Sequence, residues 1–424
     1  MSPQVAVTIV ADVRPGETES LRQLIASMGD GVANGSVVDL SAVRGVHFAR
    51  FVLLEEAEDL RGNPLPASLL YMSDVDVPRD RHLAELVDTA GPGLDRLFGH
   101  CEGYPPEPRT RDIRLAYLTG HVVKEQARYF NTTGRNVRQV VQEAALRDRI
   151  EELLDRRPNG GANTDPAAIR RHVQELVEQD DTLRWAREPA PGLGFGFRAK
   201  ELAHLVGGVL LALLLSPLLL LVAPVFLVLL RLHERSAPAP HLPPSLEKVA
   251  ELDALEDQLV HNPFSAVGFI KPGLFWRLTF RSLLLALEFA ARHVFNNGNL
   301  AGVKTIHSAR WVALNEWRRM IFISNYDGSR EAYHDDFVDK IAWGLNVAFA
   351  AGYGFPRTRW LFFAGVRDEQ AFKDFLRRHL VPSPVWYSAY GRLTNANIAN
   401  NARIRAGLHG EADAREARRW VQAL

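Results

Sequence analysis

The chain of 424 residues repeats its own landmarks in the same order, and a repeat of this kind constrains the fold more than any single motif. Asp76 precedes the string GYP by the same 27 positions that separate Asp327 from the string GFP. Three further matched pairs are VHFARFVLL and IHSARWVAL (46–54 and 306–314), LLYMSDVD and IFISNYDG (69–76 and 321–328), and RYFNTTGR and VWYSAYGR (128–135 and 385–392). We therefore interpret the chain as a duplicated unit.

Within each half, short β-branched and aromatic runs bounded by Gly or Pro predict strands, and apolar periodicity predicts helices. The resulting order is β-α-β-β-α-β with one extra strand and helix, a split βαβ pattern. We expect helices to cover one sheet face of each unit and the remaining faces to pack together. The predicted fold class is α+β, with two tandem ferredoxin-like repeats packed as a pseudo-dimeric barrel that encloses a pocket. Helices are predicted over residues 17–28, 79–98, 137–155, 274–295, 330–349, 369–379 and 394–408.

The predicted divisions of the chain follow from this interpretation. Two ferredoxin-like repeats are separated by a linker with a charged helix, a membrane-inserted segment, and a Pro-rich spacer with a short helix. A C-terminal helix ends the chain. The boundaries are 1–155 for the first repeat, 156–200 for the linker, 201–235 for the apolar segment, 236–260 for the spacer, 261–410 for the second repeat and 411–424 for the last helix.

Residues 205–230 carry no charge, and as a helix these 26 residues would be about 39 Å long, enough to cross a bilayer once. A single span would separate two halves that are expected to dock on one side. A helical hairpin inserted into the membrane, breaking near Pro217 or Pro224, is therefore the preferred interpretation. A single span and a buried soluble helix pair are the alternatives. Positive charge at both ends favours the cytoplasmic face of a membrane: Arg198, Lys200, Arg231 and Arg235.

Composition and motif content limit the classes of partner and site that the sequence predicts. Lys and Arg balance Asp and Glu, 50 against 50, so no broad basic surface favours nucleic acid. The single Cys101 excludes an intramolecular disulfide. The predicted helix within residues 272–295 is basic and amphipathic, and it either lies in the membrane interface or covers its own sheet. Nucleotide-binding, zincin and hydrolase motifs find no match in the sequence.

Candidate functional side chains lie in the repeated strands. Alternation places His47 on one face of its strand and Arg50 on the other, and His307 and Arg310 repeat this arrangement. Such a His can reach a pocket or a metal, or can be a hydrogen-bonded core residue, and such an Arg can pair with a carboxylate. Asp327 precedes a Gly at the end of a strand, where it can act as an acid-base group or only form a turn.

The duplicated plan resembles the dimeric α+β barrel superfamily, which includes dye-decolourising haem peroxidases and chlorite-dismutase-like proteins. SNYDG at 324–328 is similar to the GxxDG motif of these peroxidases, in which the Asp assists peroxide cleavage beside the haem, and Asp327 is the residue that matches it. Ser324 replaces the first Gly, and the peroxidases lack the apolar insert. The strings HFARF, HSARW and SNYDGS also look like those of membrane-associated bacterial proteins, some of them peroxidase-like. The fold resemblance covers most of 1–155 and 261–410.

The resemblance implies a membrane-associated, haem-dependent, peroxidase-like oxidoreductase that acts on a lipophilic substrate. Asp327 would be the distal acid-base residue and Arg310 would stabilise a developing peroxide anion. One His would ligate the iron, with His307 and His47 as the candidates for the haem site and His307 as the metal ligand. His293, His334 and His379 are also possible ligands, since none of these histidines lies in a motif. The alternative is a non-enzymatic lipid-binding or scaffold protein anchored to the membrane. Membrane lipid or a lipophilic small molecule is the expected partner, and association of further copies through exposed edges stays open.

Overall fold

The computed structural model describes residues 4–29, 37–76, 78–155, 165–238, 243–255, 259–296, 298, 300–410 and 412–424. The polar loop expected at 156–164 and part of the Pro-rich spacer, 239–242, lie outside this described part. The strands are β1 (Val5–Asp12), β2 (Val46–Leu54), β3 (Ala57–Glu58), β4 (Pro64–Leu65), β5 (Ser68–Val75), β6 (Glu125–Phe130), β7 (His261–Phe269), β8 (Ile306–Leu314), β9 (Arg319–Asp327), β10 (Thr358–Arg359), β11 (Phe363–Ala364) and β12 (Val385–Ser388).

Helices connect and cover these strands. Those predicted in the two halves are all present with ends within two residues of the prediction, and α3 is one that the sequence reasoning missed. The helices are α1 (Thr18–Gly29), α2 (Arg79–Phe98), α3 (Arg111–Gly120), α4 (Val137–Asp155), α5 (Pro166–Gln179), α6 (Phe195–Ser236), α7 (Leu246–Leu255), α8 (Leu274–His293), α9 (Arg330–Phe349), α10 (Glu369–His379), α11 (Asn395–Gly407) and α12 (Ala414–Val421).

Two four-stranded antiparallel sheets dominate the fold, which confirms the mixed α+β class. The first has the order β1-β5-β2-β12, and the second has the corresponding order β7-β9-β8-β6. The fourth strand of each sheet comes from the other half of the chain. Ser388 of β12 pairs with Phe48 of β2, and Phe130 of β6 pairs with Ser308 of β8. Each half therefore completes the sheet of the other.

The predicted closed barrel is not found, because the two sheets remain open in the described part of the chain. Their edges meet at isolated bridges, Ile9 with Val122 and Ala266 with Leu380, rather than along a ladder. The physical reason is that only a short segment of the chain runs along each edge before it pairs with the other sheet. The Val123 amide donates to the Thr8 carbonyl at 2.9 Å, and the strand that follows, β6, then pairs with the other sheet.

The two sheets pack face to face, and helices cover their outer faces. Helices α1 and α2 cover the first sheet, whereas α8, α9 and α10 cover the second. Helices α4, α5, α11 and α12 contribute to a separate small core. The apolar part of the sheet interface consists of Val52, Leu54, Leu70 and Met72 from the first sheet and Val312, Leu314, Ile321 and Ile323 from the second.

Two buried arginines cross the sheet interface. Arg50 donates to the carbonyls of Phe264 and Ser324, both at 3.0 Å, and also to the Asn325 side-chain oxygen. Burial, with the nearby charge of Arg310, lowers the pKa of Arg50 to about 9. The interface thus holds two guanidinium groups away from water, where charge is costly unless it is paired.

Asp74 supplies the negative charge beside these two guanidinium groups. Its carboxylate accepts hydrogen bonds from Arg310 at 3.1 Å, from the Ser308 hydroxyl at 2.6 Å and from the Asn325 amide at 3.2 Å. All four side chains are buried. Asp74 therefore joins the first sheet to two strands of the second, and its charge offsets part of the cost of burying the arginines.

Helix α6 is continuous over 42 residues, so the predicted hairpin is wrong for this structure. A proline inside a helix removes one backbone donor and bends the axis. Pro217 and Pro224 both lie within α6 among leucines, which are strong helix formers, and the helix continues through them. By length and composition α6 is the one helix of the described residues that could cross a membrane, and only 6% of its most apolar stretch is buried.

Helix α6 runs antiparallel to α8 and contacts the protein body near both of its ends. Near its start, the ring nitrogens His204 Nδ1 and His293 Nε2 lie 2.7 Å apart. Towards its end, the His233 ring stacks on Phe275 at 4.1 Å, and Glu234 accepts from the backbone amide of Leu361 at 2.9 Å. The helix therefore lies along the body rather than projecting from it.

We expect Asp74→Asn to destabilise the fold by about 3–5 kcal/mol, because it leaves two buried guanidinium groups without a carboxylate. The measurement is denaturant unfolding followed by circular dichroism in mild detergent. The matched control is Asp112→Asn, whose side chain is 90% exposed and whose effect should stay within about 0.5 kcal/mol. Equal unfolding midpoints for the two variants would contradict the role given to Asp74.

Candidate functional site

Both repeated histidines occupy β-bulges. The ladder between β2 and β5 shifts register between Val46 and Phe48, and the ladder between β8 and β9 shifts between Ile306 and Ser308. The residue skipped in each ladder is His47 or His307. A bulge redirects a side chain relative to the regular pleat. Each imidazole thereby reaches the aspartate at the end of the neighbouring strand.

In the first half, His47 Nε2 donates to Asp76 Oδ1 at 2.6 Å. The other oxygen of Asp76 accepts from the Val137 backbone amide at 2.8 Å, at the first residue of α4. His47 Nδ1 accepts from the Tyr390 hydroxyl and from the Gln4 side-chain amide, the latter at 3.4 Å. We call Gln4, His47 and Asp76 the first centre.

The second half repeats this arrangement. His307 Nε2 donates to Asp327 Oδ1 at 2.6 Å, and Asp327 Oδ2 accepts from the Asn395 amide at 2.8 Å, at the first residue of α11. A carboxylate at a helix N-terminus is favoured by the partial positive charge there. His261 Nε2 lies 3.5 Å from Asp327 Oδ1. We call His261, His307 and Asp327 the second centre.

Sequence reasoning missed His261. It is the first residue of β7 and pairs with Asp327 in the ladder, so strand register is the signal that could have found it. Burial, with the neighbouring His307, lowers the pKa of His261 to about 4. The ring is therefore neutral at physiological pH. Its Nε2 donates to the Leu393 carbonyl at 2.8 Å, and its Nδ1 accepts from the Ser388 hydroxyl at 3.2 Å.

The two centres lie side by side at one end of the paired sheets. The Tyr390 ring stacks on His307 at 5.8 Å and meets His47 edge-on at 5.7 Å. Phe48 lies 5.1 Å from His307. The structure thus brings together His47, His307 and Asp327. Arg310 lies further along β8, where it pairs with Ile323 in the ladder and with Asp74 through its side chain.

These residues do not fit a haem between them. Both oxygens of Asp327 and both ring nitrogens of His47 already have hydrogen-bond partners within the protein. Asp327, His307 and Arg310 line none of the four cavities that stand out in the described residues. A porphyrin needs a large apolar space beside its ligand, so we derive no peroxide chemistry from this group.

A separate apolar cavity of about 90 Å³, partly open to solvent, lies between the second sheet and helices α8 and α9. This volume is below the roughly 300–1,000 Å³ of ordinary small-molecule sites and is enough for only a short apolar group. Trp343 lines the cavity and is 47% exposed, which places it at the opening. Helix α9 departs from helical geometry at Ile341, in the cavity wall. Other lining residues are Ala127, Tyr129, Phe264, Leu287, Ala290, Ala291, Phe295, Ala309, Trp311, Phe322, Phe337, Gly344 and Phe372.

His334 is one of several polar side chains in the otherwise apolar cavity wall, with Arg128, Tyr129 and Tyr333. Neither of its ring nitrogens has a hydrogen-bond partner among the described residues, although the side chain is buried. Burial lowers the pKa of His334 to about 3, so the ring is neutral. A buried polar group without a partner costs about 1–3 kcal/mol. The cavity wall thus includes a neutral imidazole that can accept or donate a hydrogen bond.

Comparison of the chain with known protein families, with curated proteins and with solved structures finds no match. The functional argument therefore depends on the site geometry itself.

We expect Asp76→Ala and Asp327→Ala each to lower the free energy of unfolding by about 1.5–3 kcal/mol, because each carboxylate holds one histidine and one helix start. Denaturant unfolding measures this loss, and limited proteolysis should show earlier cleavage near α4 or α11 respectively. Asp335→Ala is the control, since this half-exposed carboxylate pairs with Lys373, which keeps Glu331 and Glu369 as partners when Asp335 is removed. Loss no larger than in the control would contradict a structural role for the centres.

Proposed function

We propose that this protein binds a lipophilic molecule at a membrane surface, as a lipid-binding rather than a catalytic protein. The observation that carries the proposal is the apolar cavity behind α8, a helix that also contacts α6. Mostly apolar walls with a few polar groups are the usual composition of a site for an acyl or isoprenoid chain with a small head group. His334 would orient such a ligand by a hydrogen bond.

The surface of α6 supports membrane association. Apolar patches larger than a few hundred Å² are rare on soluble monomers and mark interaction surfaces. Because both ends of α6 contact the same body, we infer that the helix lies in the plane of the interface instead of spanning the bilayer. The cytoplasmic face is favoured by the basic residues at both ends. The leucines of α6 with more than half of their surface exposed are Leu202, Leu210, Leu211, Leu213, Leu214, Leu218, Leu219, Leu220, Leu221 and Leu232.

The surface of α8 continues this apolar patch towards the cavity. Its inner side chains Trp276, Phe280 and Leu284 are buried against the second sheet, whereas Leu278 and Leu285 are exposed. The helix therefore covers its sheet and also presents leucines outward. A lipophilic molecule could pass from the bilayer to the opening at Trp343 along an apolar surface. Along this path the lipophilic molecule would not have to pass through water.

We also propose that the two sheets descend from a duplicated ferredoxin-like unit related to dimeric α+β barrels. Their corresponding strand orders and the histidine bulge at the same ladder position in each support this origin. In each half, the aspartate also accepts a hydrogen bond from the first backbone amide of a helix, which is a third correspondence. Independent origin would have to produce all three features twice.

Haem binding is the second candidate, and His334 favours it. A neutral imidazole with unpartnered nitrogens in an apolar cavity is suited to ligate a haem iron. A bound haem would supply redox chemistry, and the protein would act as an oxidoreductase. Arg128 is the guanidinium in the cavity wall available to a propionate. An absorption spectrum after haem supplementation tests this candidate, and absence of a Soret band would eliminate it.

We expect His334→Phe to raise stability by about 1–3 kcal/mol and to weaken binding of a fluorescent fatty acid by about fivefold or more, because it removes the unpartnered imidazole that would orient the ligand. Gly344→Leu should weaken binding further by filling space, since Ile341 is the only close neighbour of a side chain there. Fluorescence titration in detergent provides both measurements.

The control for this pair is His82→Phe. His82 is buried under the first sheet, where its Nε2 bonds to Tyr71 and Ser73, far from the cavity lining. Its replacement should lower stability and leave fatty-acid affinity unchanged. If none of the variants alters affinity, the cavity is not the binding site.

We expect wild-type protein to float with phosphatidylcholine vesicles and the double variant Leu214→Glu/Leu220→Glu to remain in the dense fractions. These two side chains are 76% and 74% exposed on α6. Each charge placed in the hydrocarbon region costs about 2.5–3.5 kcal/mol. Val141→Glu, at a 44% exposed position of α4, is the control and should float normally. Flotation of the double variant would contradict the role of α6.

A further inference from the structure

The two centres differ at one position. Val5 pairs with Val75 in the first sheet, so Gln4 lies opposite Asp76 in the same way that His261 pairs with Asp327. Gln4 is held by contacts with His47, Thr132 and Arg135. A glutamine amide nitrogen does not ligate metals, whereas an imidazole does. Divergence between the halves thus gives the second centre two imidazoles and one carboxylate.

The ligand atoms of the second centre are close enough to share one ion. One ring nitrogen from each of His261 and His307 and one carboxylate oxygen of Asp327 all lie within 4.8 Å of one another. Bonds of 2.0–2.2 Å to a tetrahedral ion place its ligand atoms about 3.3 Å apart. The 3.5 Å between His261 Nε2 and Asp327 Oδ1 fits this spacing, and the 2.6 Å contact of His307 would have to open by less than 1 Å.

We propose that His261, His307 and Asp327 bind one divalent transition-metal ion of the Zn²⁺ or Fe²⁺ class. Two imidazoles and a carboxylate are the donor set that such borderline ions prefer, whereas Mg²⁺ and Ca²⁺ prefer oxygen alone. To ligate the ion, His261 Nε2 must give up the proton that it donates to the Leu393 carbonyl, and the ring then carries its proton on Nδ1, where it can donate to the Ser388 hydroxyl. This site is independent of the apolar cavity and of the proposed lipid binding.

Neighbouring groups are placed to support the ligands. Ligating histidines usually bond through their second ring nitrogen to an oxygen that fixes the ring. His261 Nδ1 already contacts the Ser388 hydroxyl at 3.2 Å. The second oxygen of Asp327 is held by the Asn395 amide at 2.8 Å, and the ion would take the place of the His307 Nε2 proton that the first oxygen now accepts at 2.6 Å. Both supports come from the segment around β12 that crosses from the opposite sheet.

The test is expression in medium containing Co²⁺, followed by metal analysis and visible absorption of the purified full chain, because a buried site is best filled while the chain folds. Wild-type protein should contain one Co²⁺ per chain with a ligand-field spectrum typical of nitrogen and oxygen donors. His261→Gln should weaken binding by at least about 100-fold, since even changes to supporting groups cost 10–100-fold. This variant should fold, because it installs the residue type that the first centre carries.

His293→Gln is the matched control, because His293 and His204 form an exposed pair on α8 and α6 that could hold cobalt at the surface. The control should keep the ion and the spectrum. Thermal melting confirms that each variant is folded, and Asp327→Asn provides a second ligand variant with little change in volume. The proposal is overturned if wild-type protein holds no cobalt, if folded His261→Gln holds as much, or if His293→Gln loses it.

Discussion

The exchange of the fourth strand between the two halves is the constraint on which the rest of the structure depends. Because β6 pairs with β8 and β12 pairs with β2, neither sheet is complete without the other half of the chain. The helices that follow the exchanged strands, α4 and α11, begin at the aspartates of the two centres. Strand exchange, helix starts and histidine bulges are therefore one connected arrangement rather than three separate features.

The sheet interface shows how a duplicated unit becomes asymmetric. Asp74 and Asn325 hold equivalent places, two residues before the aspartate of each centre, yet only the first is charged. Two carboxylates facing two guanidinium groups would make a symmetric buried network. Here Asp74 is the single carboxylate beside both guanidinium groups. Asn325 accepts from Arg50 through its oxygen and donates to Asp74 through its nitrogen. An amide that both donates and accepts can link an arginine to an aspartate, which a second carboxylate could not do.

Local features were predictable from the sequence, and the features that depend on distant pairing were not. The helices follow from apolar periodicity, and the equivalence of His47 with His307 follows from the repeat. The exchange of β6 and β12 leaves no local signal, because a strand has the same pattern whichever sheet it joins. His261 escaped notice for the same reason, since only its pairing with Asp327 places it beside His307. The continuous α6 was mispredicted because a hairpin was inferred from the need to keep both halves on one side of a membrane, and a helix that lies along the body meets this need without a break at either proline.

The position of α6 explains why the apolar cavity belongs to the second half. Helix α1, over the first sheet, has 12 residues, whereas its counterpart α8 has 20 and extends to meet α6. A longer helix held on its outer side by α6 need not settle fully onto its own sheet, and the departure of α9 from helical geometry at Ile341 opens the space further. The contacts of α6 with Phe275, Phe289 and His293 therefore fix the wall of the cavity as well as the helix itself. If α6 lies in a bilayer as we propose, its movement would be transmitted through α8 to the cavity, and this single shared helix would link the proposed membrane contact to the proposed ligand entry.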